Sequence, residues 1–370
     1  MAPRIQYGEI ESPPESDRSG ELPHPREPKP LFGHAQSIAE LCSAARSGQM
    51  HHAWLITGPK GVGKATLAWK FAKAILAFGA KDCPEDLNVA EANVIARQVT
   101  ALSHPDLILI RRPWDFDKKR LKSELPIAEI RRLKGFYSTF ASYDGAKIAI
   151  IDCMDDTSTE AQNALLKILE EPPKSALLLL IAHAPGLLLP TVRSRCRTLA
   201  LRKLGSADMQ TALATLYPQL DGEDRQTIMT LADGTPGFAA SMAAANAAAT
   251  YRDVLSLLSQ MPQPNIGLTI NLSERIAKLP VDLGIGMFFI LLEIAIQRAV
   301  QANFTQQPTL PIEAKPFSNM LRAMPPQAWV QTWSDLKQLY ARTDQLNLDK
   351  KQFVLNAMFS LESKASSYLR

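Results

Sequence analysis

The fold is decided by one stretch of the sequence, Gly58-Pro59-Lys60-Gly61-Val62-Gly63-Lys64-Ala65-Thr66. This stretch follows the apolar run 53–56 and precedes the helical pattern 67–72. A strand, a glycine-rich loop and a helix are the context of a phosphate-binding P-loop. In such a loop the glycines let backbone N–H groups surround phosphate oxygens, and the lysine and the helix N-terminus supply positive charge. We therefore predict that residues 58–66 bind a nucleotide.

Two positions differ from the pattern of an enzyme that hydrolyses nucleotides. A Ser or Thr normally follows the P-loop lysine and holds Mg²⁺, but this chain has Ala65. Asp152 ends the apolar strand 147–152 and fits the second motif of such folds, in which an aspartate reaches Mg²⁺. The next position, where a carboxylate would activate the attacking water, holds Cys153. The sequence therefore predicts a nucleotide site that lacks two of the groups needed for hydrolysis.

The composition is that of a soluble protein with ordinary charge. The 370 residues are 46% hydrophobic and 21% charged, with a net charge of +4. The four cysteines include no C-x-x-C pair, which argues against a zinc module or a disulfide framework and favours reduced thiols. Because the N-terminus lacks an apolar signal and no apolar run has the length of a membrane span, we expect a cytoplasmic protein without membrane contact.

The pattern of strands and helices divides the chain into four parts. Residues 1–29 are rich in Pro, Glu, Ser and Arg, and we predict a disordered tail. Residues 30–202 alternate apolar strands with helices, which predicts an α/β domain with a parallel sheet. Strand signals stop after Lys203, so 203–262 is predicted to be a small helical lid. The linker Pro262-Gln263-Pro264 then leads into a separate all-helical domain, 263–370.

Other candidate residues carry less information. The basic run Lys118-Lys119-Arg120 is interpreted as a solvated loop. His183 and the pair His51-His52 have no partner at metal-ligand spacing, so we expect structural roles and no metal site. Arg195 lies in a basic segment, and composition alone favours a solvated surface or a structural ion pair.

Three segments together resemble a known family. They are the run Leu31-Phe32-Gly33-His34 with the P-loop, the segment from Ser158 to Pro173 (STEAQNALLKILEEPP), and Ser194-Arg195-Cys196. These residues resemble the bacterial clamp-loader AAA+ family of the DNA polymerase III holoenzyme, and the similarity spans roughly residues 31–240. The segment Asn347-Leu348-Asp349-Lys350-Lys351-Gln352-Phe353 resembles the last domain of the same family.

The resemblance implies a three-domain subunit with an AAA+ module, a lid and a helical collar. Members join a hetero-pentameric ring of delta and tau or gamma subunits, which opens the sliding clamp and loads it onto primed DNA. This chain is most similar to the subunit that acts as a rigid stator. In that subunit the arginine matching Arg195 projects into the ATP site of the adjacent motor subunit. The resemblance thus gives Arg195 a catalytic role in trans that composition alone does not.

The differences from the family's motor subunits also indicate a stator rather than a motor. Motor subunits carry Ser or Thr at position 65, Asp-Glu at 152–153, a polar sensing residue near Ala182 and a lid arginine near Gly237. We therefore expect ATP to be bound but not hydrolysed, Mg²⁺ to be bound weakly or not at all, and the chain's own ATPase activity to be absent or very weak. Only Cys83 lies where some members carry a four-cysteine module, so no zinc is expected there.

Two alternatives remain open at this stage. The chain is either a non-catalytic subunit of the polymerase holoenzyme or a hydrolytically active AAA+ motor subunit of the same complex, because water can replace one hydroxyl ligand. A small-molecule P-loop kinase is a weaker third option, since the lid shows no cluster of residues for an acceptor.

Overall fold

Five parallel strands form the sheet of the first of two units, Met1–Leu204. The structure is a computed structural model that describes residues 13–18, 22–141, 145–305, 310–346 and 349–368. The strands of this sheet are β1 Ala53–Thr57, β2 Leu107–Arg111, β5 Lys147–Asp152, β6 Ala176–Ala182 and β7 Arg197–Ala200. Their order across the sheet is β2-β5-β6-β1-β7. Because all of them run in the same direction, their carboxyl ends meet at one edge, and the P-loop follows β1 at that edge.

Helices cover both faces of the sheet. They are α1 Ala35–Arg46, α2 Lys64–Phe78, α3 Val94–Thr100, α4 Ile127–Tyr137, α5 Thr159–Glu170 and α6 Pro190–Arg193. Alternate residues of β1 point to opposite faces: Trp54 packs with α1 and α2, and Leu55 packs with α4 and α5. The predicted α/β parallel-sheet domain is therefore confirmed.

The segment between β2 and α4 is a short hairpin where a charged loop was predicted. Strand β3, Trp114–Asp115, pairs antiparallel with β4, Arg120–Leu121. An Oδ1 atom of Asp115 accepts hydrogen bonds from the backbone N–H groups of Asp117 and Lys118, which closes the turn. The basic side chains remain exposed, as expected, but on an ordered hairpin.

The described part of the segment 1–29 is packed against the first unit. Residues 1–12 and 19–21 lie outside the described residues. His24 and Asp17 form an ion pair of 2.9 Å with both side chains fully buried, and Asp17 also bonds Arg111 at 2.5 Å. The backbone carbonyl of Arg26 accepts a hydrogen bond from Thr100. For residues 13–18 and 22–29 the prediction of disorder is therefore wrong, because charged groups far along the chain hold this segment in place.

Replacing Asp17 with asparagine should destabilise the first unit by about 3 kcal/mol at neutral pH. Buried His24 loses its carboxylate partner, and half-buried Arg111 loses one of its two carboxylates and keeps Glu15. Burial raises the pKa of Asp17, but His24 and Arg111 outweigh burial, so the pKa lies below its usual 3.8. The stability from Asp17 is thus present above pH 3.8 and is lost as the pH falls through the lower folded-state value. Denaturant unfolding over a pH series measures this difference.

A suitable control is Asp117→Asn, which changes an exposed carboxylate on the hairpin. It should leave the free energy of unfolding within about 0.5 kcal/mol of the parent. If Asp17→Asn cost no more than this control at neutral pH, the ion pairs of residues 13–29 would not contribute to stability.

The second unit, Gly205–Arg370, consists of helices in its described residues. They are α7 Ser206–Leu216, α8 Gly222–Ala232, α9 Pro236–Ala244, α10 Ala247–Ser259, α11 Ile266–Ala277, α12 Met287–Thr305, α13 Ala314–Ala323, α14 Pro326–Leu346 and α15 Lys350–Tyr368. The all-helical prediction is confirmed, and Asn246, at a φ of 50°, separates α9 from α10. The division into lid and collar near residue 262 stays a prediction.

One helical stretch passes a length-and-composition test for a membrane span. Leu283–Thr305 is long and apolar enough, with a mean hydropathy of 1.8. However, 61% of its most apolar 18 residues are buried within the protein, as in the core helix of a globular unit. In this structure the stretch serves as the core of the second unit.

Candidate functional site

The P-loop has the backbone that its glycines make possible. Gly58 and Gly63 have φ values of 141° and 112°, which side chains other than glycine rarely adopt. A Cβ atom on Gly58 would lie 2.4 Å from the carbonyl oxygen of Leu201, and one on Gly63 would lie 3.0 Å from Leu31. Helix α2 begins at Lys64, so its N-terminal N–H groups point into the loop. This geometry fits a phosphate group.

The ammonium group of Lys64 is engaged by the loop itself. Its Nζ atom donates hydrogen bonds to the carbonyl oxygens of Gly58 and Pro59, at 2.6 and 2.7 Å. Burial lowers the pKa of Lys64 to about 8, although Cys153 and Asp152 raise it. A bound phosphate must therefore draw this ammonium away from the two carbonyl groups.

The residues present do not fit Mg²⁺. Ala65 packs against the hydrophobic core beside α2 and offers no oxygen ligand. Asp152 lies at the end of β5 as predicted, but burial, reinforced by the nearby charge of Asp17, raises its pKa to about 7. A carboxyl group that is partly protonated at neutral pH is a poor ligand for a hard cation. The motif role of Asp152 stays a prediction, and its raised pKa makes the side chain a weaker ligand for Mg²⁺.

Cys153 forms part of a cluster that sequence analysis missed. Its Sγ donates to an oxygen of Asp155 at 2.5 Å, and the two carboxylate oxygens of Asp155 accept the backbone N–H groups of His183 and Ala184 at 2.6 and 2.5 Å. Burial and the bond to Asp155 raise the pKa of the Cys153 thiol. Burial and the Lys64 charge lower the pKa of His183 to about 4. The Cys153 thiol and the His183 imidazole thus do not replace the carboxylate base that hydrolysis requires.

Arg195 is not part of this cluster. It follows α6, and its guanidinium donates to the carbonyl oxygen of Thr191 at 3.0 Å and pairs with Glu170 of α5 at 2.8 Å. The side chain remains 36% exposed. An exposed ion pair of this kind contributes little to stability, and the guanidinium can leave it at little cost.

The first unit is similar in sequence to known proteins. Residues 33–205 match the family described as DNA polymerase III, delta subunit. DNA polymerase III subunit delta' of Pseudomonas aeruginosa is 31% identical over 188 residues, covering 51% of this chain and 54% of that protein. Residues 33–205 are similar to the clamp-loader subunits of DNA polymerase III. The P-loop, Asp152 and Arg195 all lie within the matched residues.

Other relatives include a second delta' subunit and a gamma subunit. Subunit delta' of Bacillus subtilis is 32% identical over 166 residues, covering 44% of this chain and 46% of that protein. Subunit gamma of Buchnera aphidicola is 28% identical over 186 residues, covering 50% and 47%. This chain thus spans about half the length of the curated relatives it matches. This similarity therefore leaves the particular subunit role to be argued from the site.

Proposed function

We propose that this chain is a delta-prime-like stator subunit of the DNA polymerase III clamp loader. The observation that carries this proposal is the bond between Cys153 and Asp155. It places a protonated thiol where a hydrolysing subunit needs a carboxylate base. The similarity of residues 33–205 to the family and to two delta' proteins supports the same role. The subunit contributes to clamp loading through its place in the complex rather than through its own hydrolysis.

In this role the P-loop holds a nucleotide and does not cleave it. The N–H groups of the loop and the ammonium of Lys64 bind the phosphates. Ala65 offers no ligand to Mg²⁺, and the buried Asp152 coordinates it weakly. The binding energy therefore comes from the loop rather than from a metal ion.

The affinity for a fluorescent ATP analogue should consequently change less than about threefold when Mg²⁺ is replaced by a chelator. Lys64→Ala should weaken binding at least about tenfold, since it removes the cation that faces the phosphates. Lys60→Ala is the control, because Lys60 is exposed and should have a much smaller effect. Strict Mg²⁺ dependence, or equal losses in the two variants, would contradict this account of the loop.

Arg195 acts on a neighbouring subunit. Its guanidinium carries a permanent charge. The ion pair with Glu170 orients the guanidinium and leaves it partly exposed to solvent. Such an arginine, placed at a subunit boundary, stabilises the charge that develops on the γ-phosphate of the adjacent site.

The partners in this proposal are delta and tau or gamma subunits in a hetero-pentameric ring, together with the sliding clamp and primed DNA. The setting is the bacterial cytoplasm. Co-purification of the tagged full chain with co-expressed delta and gamma subunits tests the assignment. A stable complex that requires this chain, delta and gamma together supports the assignment. A chain that elutes alone from the mixture argues against the assignment.

A hydrolytically active motor subunit is the second candidate. It is favoured by the intact glycines and lysine of the P-loop and by the similarity to a gamma subunit. That reading requires the chain itself to turn over ATP with Mg²⁺, which separates it from the stator.

A further inference from the structure

Three side chains with different ligand atoms converge at the edge of the sheet where β5 and β6 end. Cys153 follows the last residue of β5, Asp155 lies two positions later, and His183 follows the last residue of β6. Because β5 and β6 are adjacent and parallel, their carboxyl ends lie side by side. The sulfur, carboxylate oxygen and imidazole nitrogen all lie within 4.8 Å of one another. We propose that Cys153, Asp155 and His183 bind a transition-metal dication such as Zn²⁺.

The donor set selects the class of metal. Thiolate, imidazole and carboxylate are the protein ligands of Zn²⁺ and Co²⁺, whereas Mg²⁺ prefers oxygen ligands alone. Around a tetrahedral zinc ion the ligand atoms lie about 3.4–3.7 Å apart. The Sγ of Cys153 and the Oδ2 of Asp155 are now 2.5 Å apart, joined by the thiol proton. Binding replaces that proton with the metal, releases the proton to solvent and moves the two atoms apart by about 1 Å.

The surroundings of the cluster support a ligand role. Backbone N–H groups of His183 and Ala184 fix the carboxylate of Asp155, as outer hydrogen bonds do around metal ligands. The Nδ1 atom of His183 is buried and has no hydrogen-bond partner among the described residues. A buried imidazole nitrogen without a partner is costly, and a metal ion would satisfy it. This orphaned nitrogen is an observation independent of the distances.

The charges balance when a metal is bound. The Cys153 thiolate and the Asp155 carboxylate together neutralise a dication, so the set carries no net charge toward the nearby ammonium of Lys64. That ammonium is itself held by the carbonyl oxygens of Gly58 and Pro59. With three protein ligands, the fourth tetrahedral position remains open to water. The site thus differs from the four-cysteine module considered from the sequence, and it does not depend on the proposed clamp-loader role.

Cobalt spectroscopy on the full chain tests the proposal. The reduced protein is freed of metal with a chelator, exchanged into chelator-free buffer and titrated with Co²⁺. We expect a thiolate-to-cobalt charge-transfer band in the near ultraviolet and tetrahedral bands in the visible, saturating at one ion per chain. Added Zn²⁺ should remove both. His183→Gln should weaken Co²⁺ binding at least about tenfold.

Cysteine variants assign the band to one sulfur. Cys153→Ser, which preserves the size of the side chain, should abolish the charge-transfer band, whereas Cys83→Ser and Cys196→Ser should keep it. Circular dichroism confirms that each variant is folded. Absence of the band in the parent protein, or its survival in Cys153→Ser, would overturn the proposal. Equal affinity for Co²⁺ in His183→Gln would likewise exclude the imidazole as a ligand.

Discussion

Replacing Arg195 with alanine is expected to lower ATP hydrolysis at the neighbouring motor subunit by about 10³-fold or more, the usual contribution of an arginine supplied in trans. The ATPase rate of the reconstituted ring should fall by the share which that one site contributes. The reason lies in the position of the side chain: its charge is partly exposed and is held by an ion pair with Glu170 and by hydrogen bonds to Thr191 and Ser194. The measurement is steady-state ATP hydrolysis by the complete ring with clamp and primed DNA.

Two matched variants separate this role from a structural one. Arg193→Ala removes an exposed arginine two positions earlier, at the end of α6, and should leave the rate unchanged. Arg195→Lys keeps the charge but loses the two-pronged hydrogen bonding of a guanidinium, so it should remain strongly impaired. A ring whose rate is indifferent to Arg195→Ala, while assembly is intact, would remove the trans role.

Replacing Glu313 with alanine is expected to destabilise the helical unit by about 3–5 kcal/mol. Glu313 is fully buried and binds both Nε and Nη2 of Arg298, at 2.7 and 2.8 Å. It also accepts hydrogen bonds from the hydroxyl of Tyr251 and the backbone N–H of Leu310. Loss of this carboxylate would leave a mostly buried guanidinium and a buried hydroxyl without their acceptor. Denaturant unfolding followed by helical ellipticity measures the change.

The loss of stability in Glu313→Ala should come from the buried polar groups that are left without an acceptor, rather than from the lost attraction between Glu313 and Arg298. The double change Glu313→Met with Arg298→Met removes both charges and should therefore cost clearly less than Glu313→Ala. Glu293→Ala, on the same helix as Arg298, alters a partly exposed side chain bonded only to Gln297 in the described contacts, and should cost under about 1 kcal/mol. A Glu313→Ala protein as stable as the Glu293→Ala protein would show that the buried network is dispensable.

The elements with a strong repeating pattern were predictable. Segments 53–56 and 148–151 are continuous apolar runs, and helix 159–170 has helical spacing and a Ser158 N-cap. Features held by distant contacts were not predictable in this way. The ordered residues around Asp17 depend on Arg111, which is 94 positions away in the sequence. The hairpin strands 114–115 and 120–121 are too short to show a period.

The candidate site was only partly predictable, because some of its residues belong to local motifs and others are brought together by the fold. Local motifs located Lys64, Ala65, Asp152 and Cys153, because each is defined by its neighbours in the sequence. Asp155 and His183 are 28 positions apart, and only the pairing of β5 with β6 brings them together. The one available signal was that each follows the end of an apolar strand. In parallel sheets, such positions share an edge.

The most direct test of the central claim is ATP turnover by the isolated full chain with Mg²⁺ present. A stator whose nucleotide site lacks a hydroxyl at position 65 and a carboxylate at position 153 should show no turnover above that of the Lys64→Ala variant purified in the same way. Sustained Mg²⁺-dependent hydrolysis that disappears in Lys64→Ala would contradict the account and would assign the chain to the motor subunits.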